Sequence, residues 1–136
     1  MITSDDLELM EAARHIIKER YVDGKHHIGA AIRLMNGEIV SAVHLEAYIG
    51  RVSVCAEAIA IGIVKSHHTS AIDTIVAVRH PAEDESNQII RAVSPCGICR
   101  ELISDFAPAC NVLLEDEGVI RKVPVRTLLP LKYHRE

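Results

Sequence analysis

The chain has 136 residues, of which 49% are hydrophobic and 25% are charged, and it carries a formal net charge of −4. This length and composition are typical of one domain with a single core, so we expect one domain over residues 1–136. The negative charge disfavours nucleic-acid and anionic-membrane partners. The polar, acidic N-terminus is unlike a signal peptide, and no apolar run approaches the about 20 residues of a membrane span. We therefore predict a cytoplasmic protein with no membrane partner.

The first part of the chain predicts a helix followed by a hairpin. Residues 4–21 carry apolar side chains at helical spacing, behind a Ser4-Asp5-Asp6 start that can cap a helix. Residues 28–34 and 38–45 are short apolar segments on either side of Asn36-Gly37, a dipeptide typical of hairpin turns. The later predicted elements are a helix over 55–67, a strand over 73–79, a loop over 80–93, a helix over 97–107, strands over 111–115 and 119–124, and a short terminal turn or helix over 127–130.

This order of elements predicts a layered α/β fold. A helix, two strands and then alternating helices and strands favour a sheet with parallel members that is covered by helices. The leading hairpin adds an antiparallel edge. We therefore expect a three-layer α/β/α domain built on a mixed five-stranded sheet.

Two cysteine motifs stand at predicted helix starts, namely Cys55-Ala56-Glu57 and Pro95-Cys96-Gly97-Ile98-Cys99. In a reducing compartment, clustered cysteines more often mark metal or catalysis than disulfides. A helix N-terminus favours negative charge, so a thiolate there is ready to bind a metal. The motifs therefore predict one zinc ion per chain, with Cys55, Cys96 and Cys99 as its ligands.

A zinc ion with three protein ligands points to catalysis. Such an ion keeps its fourth position for water, whose pKa it lowers to about 7, whereas a structural zinc has four protein ligands. Glu57 is close enough to Cys55 in sequence to reach that water, which predicts a proton carrier. A ligand, any residue and Glu, followed later by P-C-x-x-C, is the signature of zinc deaminases.

Non-catalytic explanations of the cysteines stay open at this point. A closed structural zinc site would need a fourth ligand, and Cys110 is the one cysteine left for it. We expect Cys110 to lie in the core instead, and the cysteines could also be unrelated buried residues. A zinc module used only for binding is a further alternative, although it would not need Glu57.

Over most of its length, from Gly29 to Tyr133, the chain resembles the small homotetrameric cytidine deaminases, a family that includes the blasticidin-S deaminases. The resemblance implies their fold, zinc, a homotetramer and a small-molecule nucleoside substrate. It also implies a part in pyrimidine salvage, by hydrolysis of cytidine or deoxycytidine to the uracil nucleoside and ammonia. Beyond the metal motifs, the matching segments are Ile28-Gly29-Ala30-Ala31, Glu46 at nine residues before Cys55, Ser94-Pro95-Cys96-Gly97-Ile98-Cys99-Arg100, Leu128-Leu129-Pro130 and Tyr133.

The resemblance further implies which residues meet the substrate. In the family, the position of Glu46 holds the sugar hydroxyls, and the aromatic at the position of Tyr133 often lies near the base in a neighbouring subunit. The substrate-binding residues expected on this basis are His26, His44, Glu46, Ala56, Ser94 and Tyr133.

The departures from the family pattern fall on the substrate side. His44 replaces an Asn of the sugar-binding segment, His26 stands where a Phe is usual, and Ala58 replaces an Arg, which blasticidin-S deaminases also lack. These changes leave open a modified cytosine nucleoside such as blasticidin S, or another aminated base. Because zinc with three thiolates is net negative, we hypothesise that Arg100 supplies the balancing charge.

Overall fold

A mixed β-sheet forms the middle layer of the computed structural model, which describes residues 1–135. The three helices are α1 (Ser4–Arg20), α2 (Ala56–His67) and α3 (Gly97–Phe106). The six strands are β1 (Ile28–Leu34), β2 (Ile39–Val43), β3 (Ile72–Arg79), β4 (Arg91–Val93), β5 (Asn111–Asp116) and β6 (Val119–Pro124). Short 3₁₀ turns occupy Gly50–Val52 and Val125–Leu128.

The sheet has one parallel contact among antiparallel ones. Its strand order is β2-β1-β3-β5-β6, with β4 paired to β3 outside this path. Strands β3 and β5 pair in parallel, and the other pairs are antiparallel, so β2, β3 and β5 all run in the same direction. This confirms the predicted mixed sheet with an antiparallel hairpin at its edge, but the sheet has six strands and not the predicted five, because β4 adds to β3. The turn at Glu117-Gly118, where both residues have positive φ, joins β5 to β6.

The helices cover both faces of the sheet, which confirms the three-layer architecture. Helix α1 buries Leu9, Ala13 and Ile17 against one face, whereas α2 and α3 pack on the other face. Gly29 of β1 permits the close approach of α1, because a Cβ at this position would lie 2.7 Å from the carbonyl oxygen of Ala13. A side chain at Gly29 would therefore clash with α1 at its present position.

The predicted loop over 80–93 is wrong at its end, where Arg91–Val93 form β4. Three residues are too few to show a period in the sequence, and this segment becomes a strand only because Val93 pairs with Ala77 and Ala92 with Val78 of the buried strand β3. The pairing leads the chain directly into the second cysteine motif.

Among residues 1–135, no helix has the length and apolar character needed to cross a membrane.

A buried ionic network joins α1 to the sheet. Asp6 is fully buried, and its carboxylate accepts hydrogen bonds from the backbone N–H of Thr3 at 3.0 Å, from Arg33 at 2.9 Å and from Lys122 at 3.1 Å. Burial alone would raise the pKa of Asp6, but these partners outweigh it and lower the pKa to about 2. The network therefore holds a charged carboxylate between the N-terminus of α1, β1 and β6.

Candidate metal centre and catalytic cavity

The ends of two helices bring the cysteine motifs together. Cys55 is the N-cap residue of α2, Cys96 is the N-cap residue of α3, and Cys99 lies in the first turn of α3. The Cys55 side chain makes no capping hydrogen bond to α2, so its sulfur is free of that role. The local sequence thus places thiols where helix N-termini favour negative charge.

The three sulfurs form a cluster that fits one zinc ion. All three Sγ atoms lie within 4.8 Å of one another, and those of Cys55 and Cys96 are 3.8 Å apart. Tetrahedral zinc with Zn–S bonds of about 2.3 Å requires sulfur–sulfur distances of about 3.8 Å. The donor set therefore matches the zinc that the sequence predicts, in both chemistry and spacing.

Cys110 lies outside this cluster. It is buried in the core between the sheet and helices α2 and α3, as expected, and burial raises the pKa of its thiol to about 12. Within the described chain, the sulfur cluster has three members. A three-ligand site leaves a position for a further ligand, which is the open arrangement of catalytic zinc.

The three clustered thiols differ in their electrostatic surroundings. Burial raises the pKa of Cys55 and of Cys99. Burial acts in the same direction on Cys96, but hydrogen bonds from the backbone N–H groups of Cys99 and Ile98, together with the neighbouring thiols, outweigh it and lower its pKa. The exposed thiol of Cys96 is thus the one most ready to ionise.

The sulfur cluster forms one wall of a cavity of about 170 Å³. Glu57, in the first turn of α2, is another part of this wall and is only 5% exposed. Burial raises the pKa of its carboxyl group, which its own backbone N–H and the Cys99 thiol counter only in part. The complete lining consists of Ile28, His44, Cys55, Ala56, Glu57, Val93, Ser94, Cys96 and Cys99.

The cavity contains three of the six residues predicted to bind substrate, namely His44, Ala56 and Ser94. His26 lies behind the lining, where its Nδ1 is 2.8 Å from the backbone oxygen of His44. The carboxylate of Glu46 lies 3.1 Å from Nε2 of His27, within the same group of side chains as His44. His26 and Glu46 are therefore adjacent to the cavity through His44.

Tyr133 is separate from the cavity within the single chain. Its side chain is 79% exposed and lines a different cavity, together with Phe106 and Lys132. The expectation that this ring meets the base in a neighbouring subunit stays a prediction.

Arg100 contacts the segment that leads into the second cysteine motif. Its guanidinium donates hydrogen bonds to the carbonyl of Pro95 at 2.9 Å, the hydroxyl of Ser94 at 3.0 Å and the carbonyl of Leu128 at 3.1 Å. The side chain therefore fastens a wall of the cavity to the turn near the C-terminus. This contact role is additional to the predicted charge balance.

The sequence interpretation missed His27, which lies between His26 and the cavity residue Ile28 but has no motif spacing of its own. The His27 ring packs edge-on against His44, with the ring centroids 4.3 Å apart. Its one sequence signal is that it adjoins His26 in the chain. That signal does not show that His27 contacts His44 and Glu46, because the contact depends on the pairing of β1 with β2.

The fold and the sulfur cluster together define the class of protein. Residues 3–114 match the family described as the cytidine and deoxycytidylate deaminase zinc-binding region, and the chain belongs to this family. The predictions of a zinc-binding deaminase and of a hydrolase of the cytidine deaminase type are thereby confirmed.

Individual relatives refine this assignment. The chain is 60% identical to a blasticidin-S deaminase of Bacillus cereus, over 98% of this chain and 96% of that protein. It is 29% identical to a cytidine deaminase of Halalkalibacterium halodurans, over 78% of this chain and 76% of that protein.

Solved structures show the same fold. The cytidine deaminase of Bacillus anthracis superimposes with a TM-score of 0.78 at 21% identity, over 93% of this chain and 88% of that chain. The cytidine deaminase of Mycobacterium tuberculosis gives a TM-score of 0.76 at 19% identity, over 98% of this chain and 100% of that chain.

Proposed function

We propose that the protein, acting as a single deaminase domain, hydrolyses the exocyclic amine of a cytosine nucleoside to give the uracil nucleoside and ammonia. The observation that carries this proposal is the meeting of three thiols and one buried carboxylate in the same cavity of a deaminase-family chain. Cys55, Cys96 and Cys99 would hold one zinc ion per chain. When bound there, zinc supplies the Lewis acidity that makes water nucleophilic near neutral pH.

Glu57 has the position and the environment of the proton carrier. The reaction adds water to C4 of the ring and releases the amino group, so one proton must reach the ring nitrogen and another must reach the departing amine. Glu57 takes the first proton from water and passes it to the ring nitrogen, and it then moves the second from the new C4 hydroxyl to the amino group as ammonia leaves. Burial raises the pKa of Glu57, which makes the carboxylate a better proton acceptor near neutral pH.

The rest of the cavity orients the nucleoside. Ala56 and Ser94 flank the sulfur cluster and would lie along the base, while His44 and Glu46 would take the sugar, with His26 supporting His44 from behind. Tyr133 would complete the base site from a neighbouring subunit. Burial, followed by the nearby charge of His27, lowers the pKa of His44, which favours the neutral imidazole that can both donate and accept a hydrogen bond.

Two cytosine nucleosides are the leading candidates, namely cytidine (or deoxycytidine) and blasticidin S. The 60% identity to a blasticidin-S deaminase favours the second candidate over the first. His44 supports the same choice, because an imidazole in place of an amide changes what the sugar end of the cavity can recognise. Pyrimidine salvage would be the physiological setting only if cytidine is the better substrate.

A homotetramer in the cytoplasm completes the proposal. Apolar side chains that a single chain leaves exposed support an assembly, including Tyr48, Ile49 and Val52 on the segment before α2. Contacts between copies would cover these side chains and would bring Tyr133 of one copy towards the cavity of the next.

Steady-state rates on cytidine, deoxycytidine and blasticidin S test the proposed function directly. Loss of the cytosine ultraviolet absorbance follows the reaction, and metal analysis after dialysis should give one zinc per chain. We expect kcat/KM in the range of about 10⁴–10⁸ M⁻¹s⁻¹ for the preferred substrate. A zinc-loaded protein that leaves all three nucleosides unchanged would contradict the proposal.

A further inference from the structure

A second group of metal-binding side chains lies beside the catalytic cavity. One donor atom each from His27, His44 and Glu46 lies within 4.8 Å of the other two. Nε2 of His27 is 3.1 Å from Oε1 of Glu46, and the His27 and His44 rings meet edge-on. Two imidazoles and a carboxylate are a ligand set that binds zinc and neighbouring transition metals, as in His₂Glu enzymes.

His44 is the member of this group whose bonding is incomplete. The residue is only 8% exposed, and its Nε2 has no hydrogen-bond partner within residues 1–135. A buried imidazole nitrogen without a partner is destabilising, so most such atoms in proteins are bonded. Coordination of an ion through Nε2 would remove that deficit.

The group is also accessible from solvent and has suitable charge. The side chains of His27 and Glu46 are 33% and 45% exposed, and both line a cavity of about 290 Å³. Two neutral imidazoles and one carboxylate leave a divalent ion with a net positive charge, in contrast to the thiolate cluster. The proton that His27 donates to Glu46 moves to Nδ1 when Nε2 binds the ion, so the ring stays neutral.

We propose that His27, His44 and Glu46 form a second divalent transition-metal site, weaker than the sulfur cluster, at the rim of the catalytic cavity. His44 belongs both to this group and to the lining of the cavity. An ion bound at the rim therefore withdraws His44 from the substrate. It follows, on the basis of the proposed function, that excess zinc inhibits by competition with the nucleoside.

The test is a titration of Zn²⁺ into protein that already carries zinc in the sulfur cluster, followed by calorimetry and metal analysis. We expect a second equivalent in the wild type and its loss in His27→Gln and in Glu46→Gln. The matched control is His15→Gln, because His15 pairs with Glu19 at 2.9 Å on the exposed face of α1 but has no third donor in the described metal-binding groups. This control should keep the second equivalent.

A wild-type chain that binds no zinc beyond the sulfur cluster would overturn the inference, as would a second equivalent that persists in both rim variants. Cobalt provides a measurement that does not depend on the variants. The first equivalent should give the intense near-ultraviolet thiolate bands, and the second should add only weak visible bands. Metal counts and spectra measure occupancy of the rim site even if no nucleoside is deaminated. Failure of the proposed function can therefore be distinguished from failure of the rim-site inference. In an active enzyme, excess zinc should raise KM for the wild type and His15→Gln but not for His27→Gln.

Discussion

Asp6 and Glu57 are both buried carboxylates, on opposite faces of one sheet, and their surroundings shift their pKa values in opposite directions. Asp6 is fully buried and has hydrogen bonds from Thr3, Arg33 and Lys122, so its pKa is lowered. Glu57 is 5% exposed and has no cationic partner among the causes of its shift, so burial raises its pKa.

The difference separates a structural carboxylate from one available for chemistry. A buried charge with a complete set of partners stabilises the charged form and has no reason to exchange protons. A buried carboxyl group with few partners keeps a proton affinity that suits transfer, at a cost to stability. Removal of Glu57 should therefore affect rate, and removal of Asp6 should affect stability.

The largest effect is expected from Glu57→Gln. The amide keeps the shape of the side chain but cannot carry a proton, so kcat should fall by about 10²–10⁴-fold. Zinc content and the free energy of unfolding should stay close to those of the wild type, as measured by metal analysis and urea denaturation. Near-normal turnover would refute the role of Glu57, and the exposed Glu101→Gln on α3 serves as the control.

Asp6→Asn should lower the stability of the fold and leave the activity unchanged, which is the opposite of the effect expected for Glu57→Gln. Loss of the charge leaves Arg33 and Lys122 without their shared partner, and breaking a buried ion pair costs about 3–5 kcal/mol of unfolding free energy. Activity and zinc content should be retained at temperatures where the variant is folded. The neighbouring Asp5→Asn, on the exposed side of the same helical turn, should change stability by no more than about 0.5 kcal/mol. Equal effects of the two substitutions would show that the network is not stabilising.

Acid should produce a smaller loss through the same residue. The pKa of Asp6 is lowered from 3.8 to about 2 in the folded chain, so its contribution is present above pH 4 and is lost as the pH falls towards 2. A shift of this size corresponds to about 2 kcal/mol. Urea denaturation between pH 5 and pH 2 should show this loss in the wild type. The same fall in Asp6→Asn would assign it to other groups.

The smallest expected effect concerns Arg100, where charge and contact can be separated. Arg100→Lys keeps the positive charge but loses the three-armed contact with Ser94, Pro95 and Leu128. If charge balance dominates, the Lys variant should keep the pH–rate profile while Arg100→Ala shifts it and lowers kcat by about tenfold, which equals about 1.4 kcal/mol. An unchanged rate and profile in Arg100→Ala would exclude the charge role.

Features set by local patterns could be predicted from the sequence. The Asn36-Gly37 turn, the helices that begin at the two cysteine motifs, and the burial of Cys110 all follow from local spacing and residue type. The three ligands of the sulfur cluster could be predicted for the same reason, because each cysteine motif is short and continuous.

Features that depend on contacts between distant segments could not be predicted in this way. Strand β4 exists because of its pairing with β3, and β1 lies between β2 and β3 although it precedes both in the chain. The contact of His27 with His44 and Glu46 likewise needs the antiparallel pairing of β1 with β2, which brings the start of one strand to the end of the other. The sugar side of the site was therefore only partly defined by sequence.

The placement of two zinc-binding thiols at helix N-caps has a topological consequence. An ion that joins Cys55 to Cys96 cross-links two points 41 residues apart, and the loop so closed contains α2, β3 and β4. A covalent link across a loop of this length would remove about 4 kcal/mol of conformational entropy from the unfolded chain, and a tightly held ion acts in the same sense. The metal would then act as a reversible cross-link. Removal of the metal by a chelator should therefore destabilise the layer of α2 and α3 before it destabilises α1.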